Sequence, residues 1–299
     1  MASTLSQLSG ELVDVVAATG PSVAQVDGRR SYPVSGLSLG NGEVITAHHT
    51  LGRNGEVRVH FSGEAMSAEV VGRDASTNLA LLRAAGEAPK APATAEVTPD
   101  SPAVGGVVLA LGRPGRTVRA ALGIVGAHGE AWRTGMGGVV DAYLEPSIRM
   151  FSRFTGGPLV DAEGRVVGIN MRGLAGRTPV TVPMSTIERV AAALRSDGHV
   201  KRGYLGVSSQ PVELPDQTGV GLLVLGVEDG GPADVAGVHM GDAVVAVDGS
   251  PVSDHEQLLA HLGGDRIGQA LSVTLLRTGK RITVEVTVGE RPRRGLAAG

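Results

Sequence analysis

Between residues 22 and 182 the apolar residues arrive in short runs, and glycine-rich turns end almost every run. Val57–Phe61, Val107–Leu111, Gly157–Val160 and Val166–Ile169 are examples. No helical period persists long enough there to bury one face of a helix. The backbone must therefore be satisfied by strand pairing, and many short strands over about 160 residues predict a β-barrel or sandwich.

Helices are expected only at the borders. In the opening segment Leu5, Leu8, Leu12 and Val15 fall on one helical face, and Gly20-Pro21 stop it. At the other border Ser185-Thr186-Ile187-Glu188 has the form of a capping box. Ile187, Val190, Ala191 and Leu194 would be its buried stripe, with Gly198 as C-cap. Residues 199–203 form a linker, which predicts domains at 1–200 and 201–290 and a flexible tail at 291–299.

The second module is compact. Strand-like runs at 205–209, 220–227 and 243–247 precede a helix expected to be capped by Ser253 and Glu256, with Leu258, Leu259 and Leu262 inward. A hairpin turning at Thr278-Gly279 ends it, and its last strand alternates apolar and polar residues.

Composition narrows the function classes. With three Phe, three Tyr, one Trp and a net charge of −3, the chain offers little for stacking bases or neutralising phosphates, so nucleic acid is not expected. Cysteine is absent, which removes disulfides, thiolate metal sites and a cysteine nucleophile. The eight histidines show no metal-ligand spacing with carboxylates, and Gly112-Arg113-Pro114-Gly115-Arg116-Thr117 lacks the ending of a phosphate loop. No cofactor or metal is expected. No apolar run is long enough for a membrane span, and no secretory leader is visible. The expected compartment is the cytoplasm for the chain as it stands, or an extracytoplasmic one for a trimmed form.

Three patterns carry chemistry. Thr46-Ala47-His48-His49 follows a strand. Thr77-Asn78-Leu79-Ala80-Leu81-Leu82 opens another. Thr155-Gly156-Gly157-Pro158-Leu159 leads into Gly168-Ile169-Asn170. Their order and flanking strands resemble the HtrA family, in which a trypsin-like serine protease domain is followed by a PDZ domain. The resemblance covers roughly residues 5–290 and implies a mainly β fold, a trypsin-like double β-barrel of two six-stranded barrels followed by an α+β PDZ domain.

Carried over by position, His49 stands at the base, Asn78 where the family has Asp, and Thr155 where it has the nucleophilic Ser. Arg153 and Thr155 occupy the oxyanion-hole positions, and Arg153-Phe154 replace Gly-Asn. Threonine keeps a hydroxyl, yet its extra methyl stiffens χ1 and adds bulk. An amide can hold an imidazole but cannot stabilise the imidazolium, a change that costs about 10⁴ in kcat in a working triad. Losing one oxyanion donor costs on the order of 10²–10³. His48 is expected to be an exposed neighbour and Asp74 a turn residue. Arg149 falls near the wall of the former specificity pocket, where it plugs the pocket, binds an acidic group or stays solvated.

In the second module, Tyr204, Leu205, Gly206 and Val207 resemble the loop whose N–H groups capture a peptide's terminal carboxylate, and Leu258 lies on the helix that walls the groove. The resemblance, with its departures, implies a proteolytically inactive HtrA-like protein connected with protein quality control. It would bind peptides or partner C-termini as scaffold or regulator. Two alternatives stay open: a slow endopeptidase using Thr155 and His49, and a chaperone-like holdase for unfolded polypeptide. The family commonly trimerises through aromatic residues near the N-terminus. This chain has none before Tyr32, so its oligomeric state is open.

Overall fold

The computed structural model describes residues 3–28, 33–52, 56–62, 65–98, 101–149, 154–214 and 219–292. The chain divides into two compact units, Met1–Val200 and Lys201–Gly299.

In the first unit six strands close into a barrel in the order β1-β2-β3-β6-β5-β4. They are β1 (Val23–Asp27), β2 (Val34–Gly40), β3 (Glu43–Ala47), β4 (Val57–His60), β5 (Met66–Asp74) and β6 (Leu79–Ala84). Alternate residues of β3 and β6 serve two cores. Val44, Ala80 and Leu82 fill the barrel with Val26 and Val59. Ile45, Leu79 and Leu81 turn the other way and pack with Leu111, Ile169 and Leu194. Strands buried on both faces read as unbroken apolar runs, and each such Leu or Ile contributes about 1.5–3 kcal/mol through burial.

A second six-stranded sheet has the order β9-β8-β7-β10-β11-β12. It consists of β7 (Val107–Gly112), β8 (Arg119–Gly129), β9 (Tyr143–Pro146), β10 (Pro158–Asp161), β11 (Val166–Ala175) and β12 (Thr178–Pro183). The sheet curls until its edge strands β9 and β12 lie side by side. The double β architecture is thus present, with hydrogen-bonded closure in the first barrel.

The border helices differ from expectation. Helix α1 (Thr4–Thr19) is capped by Ser3, whose hydroxyl accepts the Ser6 N–H at 3.2 Å. Of its predicted apolar face only Val15 is buried, while Leu5 is 78% exposed and Leu8 43%. Helix α2 (Met184–Asp197) starts two residues early with Pro183 as N-cap, so no capping box forms at Ser185. The chain leaves β12 directly into the helix, and the Thr186 hydroxyl accepts the Asp141 N–H at 2.9 Å instead. Its stripe of Ile187, Val190, Ala191 and Leu194 is buried, and Gly198 caps it in the left-handed conformation.

The second unit is a sheet in the order β13-β14-β15-β16-β17, with β13 (Val207–Glu213) on its edge. The others are β14 (Val220–Val227), β15 (Ala243–Val247), β16 (Ala270–Arg277) and β17 (Lys280–Thr287). Two short helices, α3 (Pro232–Val235) and α4 (His255–Ala260), complete it. Helix α4 is capped by Asp254, whose carboxylate accepts the Gln257 N–H at 2.8 Å, rather than by Ser253. Leu258 and Leu262 are buried as expected.

Candidate functional site

Strand β3 ends at Ala47 and turns through one 3₁₀ turn, His48–Thr50, that carries His49 to the surface. The Thr50 hydroxyl fastens the turn to the Ala47 carbonyl at 2.6 Å. Asn78 stands just before β6 at φ 60°, a left-handed conformation that asparagine tolerates better than most residues. The two turns are laced together. His48 N–H donates to the Asn78 carbonyl at 2.8 Å, and His49 N–H donates to Asn78 Oδ1 at 3.0 Å. The imidazole rests on the same amide, with Nδ1 2.9 Å from Oδ1 and 2.8 Å from Nδ2.

Asp74 offers no substitute acid. Its buried carboxylate accepts from the Ser76 N–H at 3.1 Å, the Thr77 N–H at 3.2 Å and both hydroxyls. It organises the turn that delivers Asn78, as its position in sequence implied. His48 departs from expectation. It is half-buried, and its Nδ1 has no hydrogen-bond partner among the described residues. Burial pushes its pKa down, aided by Arg73 and His49 and opposed by Asp74.

Thr155 is held by the turn that follows it. Its carbonyl accepts the Ser35 N–H at 3.2 Å. Gly156 has φ 84°, and its N–H reaches the Asn170 carbonyl at 2.9 Å. A Cβ on Gly156 would strike the Ser35 carbonyl, and one on Gly157 the Leu111 carbonyl. The Gly-Gly pair is therefore demanded by the barrel whatever residue stands at 155, and the buried Asn170 amide donates to the Pro158 carbonyl at 2.9 Å. Arg113, considered in the sequence only as part of a failed phosphate loop, supports this corner. Its guanidinium is buried and donates to the carbonyls of Val23, Arg116 and Gly20, while its N–H reaches Ser35 Oγ at 2.9 Å. Burial lowers its pKa.

His49, Asn78 and Thr155 line one cleft of about 1050 Å³, together with His48, Arg172 and Arg177. Among the described residues no hydrogen bond joins the Thr155 hydroxyl to His49. Arg153 lies outside the described residues. Arg149 is exposed and is not part of the lining.

In the second unit, Leu205 and Leu258 are buried in one core with Val207 packed against it. Leu205 O accepts the Ala233 N–H and Gly206 O the Glu228 N–H, both at 2.8 Å, which fixes the loop before β13. The N–H groups of Leu205 and Gly206 have no partner among the described residues. Gly206 has φ 79°. Burial, reinforced by Glu228, raises the Tyr204 phenol pKa. Helix α4 lies along the open edge of β13: His255 Nε2 is 2.9 Å from the Ser209 carbonyl and 3.1 Å from its hydroxyl.

Residues 34–169 match the trypsin-like peptidase domain family, and residues 203–288 match the PDZ domain family. A relative from Rhizobium meliloti named "Probable periplasmic serine endoprotease DegP-like" is 33% identical over 84% of this chain. A crystal structure of the serine endoprotease from Yersinia pestis superposes with a TM-score of 0.72 at 27% identity, covering 94% of this chain and 98% of that one. The HtrA-type protease AlgW with a tripeptide gives a TM-score of 0.70 at 26% identity, covering 94% and 97%. The chain belongs to the HtrA family.

This HtrA chain spans 52% of the length of its Rhizobium relative. The names of such relatives overturn one expectation, because they are called periplasmic and so speak against a cytoplasmic location. Sequence reasoning missed His255, Arg113, Arg172 and Arg177. His255 could have been found by placing the N-cap at Asp254, which makes it the first helical residue facing the strand edge.

Proposed function

We propose that this HtrA-family chain has a decayed serine-protease site and works outside the cytoplasm by binding polypeptide rather than by cutting it. Its PDZ groove would take peptides or partner C-termini, and its protease-type cleft would hold an extended segment without hydrolysing it, as a scaffold or regulator. One observation carries this proposal: the partner of His49 is an amide. A proton taken from Thr155 would leave an imidazolium with no carboxylate beside it, the condition that costs about 10⁴ in kcat in a working triad. Threonine at the nucleophile position adds a stiff β-branched side chain where the substrate carbonyl approaches. Arg153 at the oxyanion position is a third departure in the sequence.

Labelling of the whole chain with a fluorophosphonate tests the proposal. No adduct at Thr155 is expected on mass spectrometry of tryptic peptides. An adduct there, or turnover of a denatured casein substrate that vanishes in Thr155→Ala, would overturn it.

A second reading, slow hydrolysis by Thr155, is favoured by one contact. Asn78 Oδ1 is fixed by the His49 N–H and lies 2.9 Å from Nδ1. If Nδ1–H donates to that oxygen, Nε2 is free to act as a base. The same labelling experiment separates the two.

A further inference from the structure

Every charged or titratable side chain lining the protease-type cleft is basic: His48, His49, Arg172 and Arg177, with no Asp or Glu among the described lining residues. Asp74, on the turn that delivers Asn78, is buried and occupied by the Ser76 and Thr77 donors. Arg172 and Arg177 are exposed, and neither forms an ion pair among the described residues. They sit on the β11–β12 hairpin at a place where the pairing is interrupted. Met171 pairs with Val180, and the register then shifts so that Ala175 pairs with Thr178, leaving Arg172–Leu174 bulged out of the ladder toward the cleft. Past Ile169, β11 also has no register partner in β10.

We infer that this cleft selects acidic polypeptide segments, with Arg172 and Arg177 as the residues that set the specificity. This deepens the peptide-holding reading above and rests on it. The interrupted ladder offers a stretch of backbone to which an extended chain can add. Val34, Met136 and Leu174 supply apolar wall, and no Phe, Tyr or Trp is among the described lining residues. A guanidinium binds a carboxylate through two parallel N–H bonds, and an unpaired arginine need not break an existing bridge to do so. A basic segment would meet only like charge.

The test uses the full chain and fluorescein-labelled extended peptides with amidated C-termini, so that capture of a terminal carboxylate plays no part. Three peptides share one apolar framework and carry Asp/Glu, Asn/Gln or Lys/Arg at the same positions. Anisotropy titration should give the acidic peptide an affinity about tenfold or more above the neutral one, with the gap narrowing as salt is raised. Arg172→Ala with Arg177→Ala should erase the gap between the acidic and the neutral peptide. Arg172→Glu with Arg177→Glu should turn the preference toward the basic peptide, which a merely unfolded variant could not do. Equal binding of all three peptides would overturn the acidic selectivity and leave peptide holding intact. Binding of none would overturn both. Displacement of the acidic peptide by millimolar inorganic phosphate as readily as by unlabelled peptide would mark a simple anion site and overturn the polypeptide assignment.

Discussion

His49 and Asn78 are joined twice, once through the backbone N–H and once through the ring, and both contacts end on the same neutral amide. Replacing that amide by a carboxylate keeps the geometry and supplies the missing charge. The variant Asn78→Asp with Thr155→Ser is expected to show fluorophosphonate labelling and peptide hydrolysis about 100-fold or more above the parent chain. Each single variant should stay near background, because members of such a site act as a unit. A burst of labelling in the double variant, read by intact-mass spectrometry, checks it.

The turn after Thr155 should be intolerant of any side chain. Gly156→Ala has to adopt φ 84° with its Cβ against the Ser35 carbonyl. Left-handed backbone alone costs roughly 1–2 kcal/mol for a non-glycine residue. The displaced carbonyl belongs to the corner that Arg113 also supports. A loss of about 2 kcal/mol or more in urea unfolding is expected, whereas Gly173→Ala, at φ 78° with open space around it, should lose less.

The barrel was legible because β3 and β6 each serve two cores, which leaves an unbroken apolar signature such as Leu79–Leu82 between polar turns. The turn residues were legible for a steric reason, since Gly156, Gly157 and Gly168 each press against a carbonyl. Caps were less so. Ser253 and Asp254 are adjacent and equally suitable, and only the structure shows that Asp254 takes the Gln257 N–H while the Gln257 side chain turns back to Ser253. At Ser185 the entry from β12 overrode the local capping signal. Leu5 and Leu8 obey the helical period, yet the described residues bury neither. Arg172 and Arg177 were invisible because two arginines in a glycine-bearing hairpin look like any solvated turn. Only the fold brings them to the cleft that holds His49 and Thr155.

His48 should make stability depend on pH. Burial, with Arg73 close by, lowers its pKa below the ordinary 6.5, so the unfolded chain binds this proton more readily than the folded one. The corresponding stability is present above the ordinary imidazole pKa and is lost as pH falls from there toward the depressed folded value. The melting temperature of the parent chain is expected to fall more steeply between about pH 7 and pH 5 than that of His48→Phe. Parallel curves for the two proteins would contradict the assignment.

Leu205 and Gly206 present adjacent N–H groups that no described residue accepts, at the head of an edge strand and beside a helix that already touches that strand through His255 and Ser209. Free donors on a loop with a left-handed glycine form a concavity suited to a carboxylate. A peptide ending in a free carboxylate can satisfy both donors while its backbone pairs with β13, whereas the same peptide ending in an amide brings no charge to them. Hydrogen bonds to a charged group contribute about 1.5–3 kcal/mol, which corresponds to at least tenfold in affinity. The amidated peptide is therefore expected to bind the full chain at least about tenfold more weakly than the free acid in calorimetric titration. Leu258→Lys, which places a charge in the apolar core beneath the groove, should abolish the preference for the free acid, and equal affinity of the parent chain for acid and amide would rule out carboxylate capture at this loop.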